Sequence, residues 1–172
     1  MFIREQLKSG HSKFIAKSIV DYIGEDEVKL NELIDVFAEG DVRLTQRAAW
    51  PLGLLADSNP DLLNGKITFL CGLLDKPLHA AVKRNVLRTF QVLDIPEDNM
   101  GILADKCFTY LHDIKEPIAV KAFAMTVLAN MCKKEPELKN ELIPMIEDIL
   151  PFGSSGLISR GKKILKELSK LP

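Results

Sequence analysis

Apolar positions along this chain recur with a long period. The set Leu44, Ala48, Leu52, Leu55 returns 38 residues later as Val82, Val86, Phe90, Leu93, and 38 further on as Val120, Ala124, Leu128, Met131. A looser copy, Leu157, Gly161, Leu165, Leu168, follows after 37 residues, and another, Ser12, Ala16, Val20, Ile23, precedes the first by 32. Offsets of four, eight and eleven place such side chains on one face of an α-helix. A second family of columns fills the segments between: Leu30, Ile67, Ala104, Leu142, with Leu33, Leu70, Cys107, Met145 beside them. The columns Ile34, Cys71, Phe108, Ile146 and Phe37, Leu74, Leu111, Ile149 keep the same spacing.

Each unit of the repeat therefore predicts two amphipathic helices. First helices are predicted near 2–8, 27–38, 60–75, 98–113 and 136–150, and second helices near 11–23, 41–56, 79–93, 117–133 and 154–170. Breakers fall between them at Gly24, Gly40, Asn59-Pro60, Lys76-Pro77, Pro96, Glu116-Pro117, Glu135-Pro136 and Gly153–Gly156. Asp41 and Asp61 stand where a carboxylate caps a helix start or meets its positive dipole end. Pro51 falls inside its helix and predicts a bend there, or a later helix start. No stretch shows sustained strand-like alternation. The fold class is all-α, and stacked pairs of this kind bury together what one pair cannot bury alone.

The run Ala48-Ala49-Trp50-Pro51-Leu52-Gly53-Leu54-Leu55 resembles the A-A-W-x-L-G-x-L signature in the second helix of HEAT and armadillo-type repeats. Val82-Lys83 and Val120-Lys121 resemble the Val-Arg opening of the same helix. The resemblance spans about residues 25–168, and the period fits HEAT best. It implies a right-handed α-α superhelix, or solenoid, of about five helix pairs. The pairs fall at approximately 1–24, 25–57, 58–94, 95–134 and 135–172 within a single repeat domain over 1–172. The tryptophan and glycine of the signature occur in one repeat only, which implies an irregular solenoid.

In the resembled family the second helices line the concave surface, so offsets two, six, nine and thirteen give the candidate contact strip. It reads Gln46, Trp50, Gly53, Asp57, then Arg84, Arg88, Gln91, then Ala122, Thr126, Ala129, Lys133, and finally Ser159, Lys163, Lys166, Lys170. Six of its seven charged members are basic, although the whole chain has a formal net charge of −1. Trp50, Asp57, Arg84, Arg88, Gln91, Lys133, Lys163 and Lys166 are the residues expected to meet a partner. Trp50 is either an anchor for that partner or packing against a neighbouring repeat.

Composition adds limits. At 47% hydrophobic and 27% charged, the 172 residues suit a folded domain rather than disorder. Residues 1–75 carry 8 Lys/Arg against 12 Asp/Glu and residues 76–172 carry 15 against 12, so the later half better suits an acidic partner. The longest core-like stretch, Ile67–Leu74, is far short of the roughly 18–20 residues of a membrane helix. The opening MFIREQLKSGHSK lacks the apolar region of a signal peptide. Three widely spaced cysteines do not read as a disulfide framework, so a reducing cytoplasm is the expected compartment. Cys71 and Cys107 sit in apolar columns, whereas Cys132, near a helix end, is expected to be partly exposed.

Chemistry finds little footing. His11, His79 and His112 show no helical metal spacing, and no phosphate-loop, dinucleotide or nucleophile-elbow string occurs. No cofactor or metal is expected. The reading that follows is a non-catalytic scaffold or adaptor for a protein or peptide, with acidic character the candidate chemistry, bound on the concave face. The alternative is a nucleic-acid-binding relative, including the HEAT-like alkylpurine DNA glycosylases, for which Trp50 and Asp57 lie seven residues apart on one face. A sequence pI near 6.3 weighs against it.

Overall fold

The computed structural model describes residues 2–77 and 79–172, and among them it holds ten α-helices, three 3-10 turns and no strand. Contacts divide the chain into two compact units, Met1–Asp94 and Ile95–Pro172.

The first unit holds three helix pairs: α1 (Phe2–Ser9) with α2 (Lys13–Ile23), α3 (Glu27–Ala38) with α4 (Val42–Ser58), and α5 (Ile67–Leu73) with α6 (Ala80–Phe90). Asp41 caps α4 as expected, its Oδ1 accepting from the Leu44 amide at 2.8 Å. Ser12, expected in an inward column, is instead exposed and caps α2, its Oγ accepting from the Ile15 amide at 3.2 Å. Asp26 Oδ1 accepts from Val28 and Lys29. The Lys29 backbone hydrogen bond is the main reason the Asp26 carboxyl titrates below its usual range. Gly24 and Gly40, with φ of 52° and 93°, take the left-handed turns that link α2 to α3 and α3 to α4. Leu30, Leu33, Phe37, Ala48 and Leu52 are fully enclosed. Thr45 joins this core by donating its hydroxyl to the Phe37 carbonyl at 2.9 Å. Arg47 ties α4 to the end of α1, donating to the carbonyls of Leu7 at 2.7 Å and Lys8 at 3.1 Å.

The second unit holds α7 (Glu97–His112) with α8 (Ile118–Met131), and α9 (Lys139–Ile149) with α10 (Ser155–Leu168). Val120, Ala124, Leu128, Leu142 and Ile146 form its centre. Gly161 lets α10 approach closely: a Cβ there would stand 2.6 Å from Leu150 Cδ2 and 3.2 Å from Ile146 Cγ2.

Several expectations need correction. The first helix predicted over 60–75 is a 3-10 turn, Pro60–Lys66, followed by the short α5. Asn64 and Gly65 are poor helix formers, and the Asn64 side-chain amide donates to Asp61 Oδ1 at 3.3 Å across the turn. Likewise Pro136–Leu138 is 3-10 before α9 begins. In α2 and α10 the buried positions are Ile19 and Ile164, while Val20 and Leu165 are only half-buried. The other expected positions, Ala16 and Ile23 in α2 and Leu157, Gly161 and Leu168 in α10, are buried, so the inward face is kept and only its third position lies seven rather than eight residues along, both offsets falling on one side of a helix. α4 continues through Pro51 to Ser58.

Candidate functional site

In the first unit, α6 keeps Val82, Val86 and Phe90 inward, and this leaves Arg84 and Arg88 exposed on successive turns. Arg88 lies back over α4, with Nη1 3.4 Å from where a Cβ on Gly53 would stand. Gly53 is thus covered by the guanidinium and offers no side chain of its own. Gln91 is half-buried and donates from Nε2 to the Arg88 carbonyl at 3.3 Å. Gln46 and Asp57 are exposed at the two ends of α4. Trp50 is half-buried and meets His11 edge-on, with ring centroids 5.1 Å apart and planes at 77°. The single tryptophan therefore packs partly against the preceding helix pair.

In the second unit the strip is less open than its helical offsets suggest. Ala129 is buried, which corrects its assignment to the contact face. Ala122 and Thr126 are overlaid by Arg160 of α10. Arg160 Nη1 donates to the Ala122 carbonyl at 3.2 Å and to Thr126 Oγ1 at 3.3 Å, and the guanidinium stands 5.3 Å from the Phe123 ring centroid. Sequence reasoning missed Arg160, because its offset of three from Leu157 lies outside the strip. Lys133, Ser159, Lys163, Lys166 and Lys170 are exposed. Lys133 donates to Asn130 Oδ1 at 2.9 Å, and Lys163 pairs with Glu167 at 3.9 Å.

All three cysteines are buried and free of disulfides. For Cys132 this corrects the expectation of partial exposure: it is 0% exposed, and burial pushes its thiol up to about 11. Among the described residues no group of three His, Cys, Asp or Glu is arranged to hold a metal ion. No helix formed by them is long and apolar enough to cross a membrane.

The second unit also carries a groove between its first helices that the column pattern did not predict. It is bordered by Leu111, Ile114, Ile118, Met145, Ile149 and Phe152, among others. Ile114 is 90% exposed and Phe152 is 91% exposed. Both sit in connections between helices, where periodicity carries no signal; the only hint in the sequence is an apolar residue inside a polar loop.

Compared with known proteins, residues 3–168 match a family profile described as HEAT repeat domain. No curated protein and no solved structure matches the chain.

Proposed function

The chain belongs to the HEAT repeat family, and from that premise we propose that it is a non-catalytic, protein-binding scaffold whose second helices present the contact face. The observation that carries this reading is the arginine pair of α6. Arg84 and Arg88 are exposed side by side while the apolar positions of the same helix are wholly enclosed. Guanidinium groups on successive turns form a fixed fork of donors suited to carboxylates. An acidic segment of a partner is the ligand such a pair favours. Three free, buried thiols support a reducing, cytoplasmic setting.

The test is the double change Arg84→Glu with Arg88→Glu. Surface substitutions shift stability by about 0.5 kcal/mol or less, so the thermal melt should stay in place. Binding of a partner captured by the wild-type protein should weaken at least about tenfold, or roughly 1.4 kcal/mol. Unchanged affinity would remove the pair from the contact face, and a collapse of the melt would show these arginines to be structural. Salt titration against duplex and single-stranded DNA separates the competing class, since neutralised phosphates give a steep salt slope. Release of a methylated base that disappears with Asp57→Asn would replace the scaffold reading with a glycosylase.

A further inference from the structure

The groove of the second unit runs along α7 and α9 and has two hollows. One encloses about 610 Å³ near the end of α7, where Leu111, Ile114, Ile118, Ile149 and Phe152 supply apolar walls. The other, of about 660 Å³, lies beside Met100, Ala104 and Leu138. Ala104 and Leu111 mark the two hollows on α7, and seven residues of helix span about 10 Å. Glu141 borders both.

The charges on the rim are one-sided. Glu135, Glu137, Glu141 and Asp148 stand exposed about the two hollows, with Glu116 buried in the lining, against Lys121 as the one Lys or Arg among the lining residues. Residues 95–172 hold 11 basic and 11 acidic residues, so this excess is local and not a background of the unit. Lys139, the basic residue at the start of α9, is turned away and donates to the Leu171 carbonyl at 3.0 Å. Exposed apolar side chains ringed by one sign of charge mark an interaction surface rather than ordinary solvated loop.

We propose that this groove binds a cationic amphipathic helix of a partner protein. Apolar side chains two turns apart, at i and i+7, would seat in the two hollows, while Lys or Arg on the flanks meet Glu141 and Asp148. The proposal keeps the protein-binding reading but rests on a different surface and the opposite charge from the α6 arginines. It names the ligand class for this surface: basic where the arginine pair selects acid.

The experiment uses the full chain and a fluorescein-labelled synthetic helix of about five turns, with Leu on one face and Lys on the other, read by fluorescence anisotropy. The Leu/Lys helix should bind, and a Leu/Glu helix of the same length should bind at least about tenfold more weakly. Glu141→Lys with Asp148→Lys should weaken the Leu/Lys helix at least about tenfold, and so should Ile114→Ser with Phe152→Ser. Asp21→Lys with Glu25→Lys makes the same change in net charge on the first unit, and it should leave affinity within about twofold. No binding, equal affinity for the two helices, or an equal loss from the Asp21/Glu25 reversal would each overturn the proposal. The changed side chains are exposed, and coincident melts verify that the variants fold. The Arg84→Glu/Arg88→Glu protein should bind the Leu/Lys helix undiminished, so failure of the groove and failure of the arginine strip are told apart.

Discussion

Two arginines, one in each compact unit, reach back from a later second helix onto an earlier one, and they end in different states. Arg88 lies over Gly53, 35 positions earlier, and remains exposed. Arg160 reaches 38 positions back and is held by the Ala122 carbonyl, the Thr126 hydroxyl and the Phe123 ring. The difference lies in what the earlier helix offers. A glycine presents no polar side chain and no ring, so the guanidinium rests on it without being claimed. A threonine and a phenylalanine one turn apart give the other guanidinium an acceptor and a π-face. Whether a basic residue on such a helix serves the fold or a partner is thus decided by the residue opposite it, one repeat earlier.

The largest expected effect tests how tightly the Arg160 helix is seated. Gly161→Val must displace Leu150 and Ile146, and overpacking of this kind destabilises by about 1–3 kcal/mol. A thermal scan should show a fall of about 2–4 °C for each kcal/mol. An unchanged melt would mean that α10 shifts freely, and the contrast with α6 would weaken.

Next comes the arginine pair itself. Arg160→Met removes two hydrogen bonds and a cation–π contact while keeping much of the stem, and should destabilise by about 1–2 kcal/mol in urea denaturation. Arg88→Met should lie within about 0.5 kcal/mol of wild type. Equal values for the two would break the comparison.

The smallest effect is Gly53→Ala. Its new methyl would meet only the end of a flexible Arg88 side chain at 3.4 Å, so the gain in helix propensity, up to about 1 kcal/mol, should leave the protein as stable or slightly more so. A clear loss of stability would show that Arg88 is pinned over the glycine after all.

How far the fold could be read in advance depended on where periodicity operates. The helix predicted over 27–38 is Glu27–Ala38, because its four apolar columns agree, and Asp26, which the pattern did not mark, caps its start. The columns of α4, α6 and α8 are buried throughout, for the same reason. Where local chemistry competes, the pattern misleads: Asn64 and Gly65 turn the start of a predicted helix into 3-10 structure. In α2 and α10 only the third column position differs, Ile19 and Ile164 in place of Val20 and Leu165, because each site offers two apolar neighbours and periodicity alone does not choose between them. Of the candidate strip, the exposure of Arg84, Arg88, Lys133, Lys163 and Lys166 was legible from helical offsets. The reach of Arg160 was not, since it depends on a long side chain crossing to another helix. Nor was the groove, whose most exposed members, Ile114 and Phe152, lie in connections with no period to read.

The tight turns at Gly24 and Gly40 have a consequence in time. They keep α2, α3 and α4 near in sequence to the helices they pack on, and folds of low contact order form in microseconds to milliseconds. A ribosome adds only about 5–20 residues per second, so each helix pair takes on the order of seconds to emerge. Synthesis is therefore the slow step. Ile3 and Leu7 of α1 are completely enclosed in the fold, and α1 packs on α3 and α4 as well as on α2. With α2 alone beside it, the nascent α1 keeps part of its apolar surface open until the second pair arrives, and for those seconds α1 is a segment a chaperone would meet.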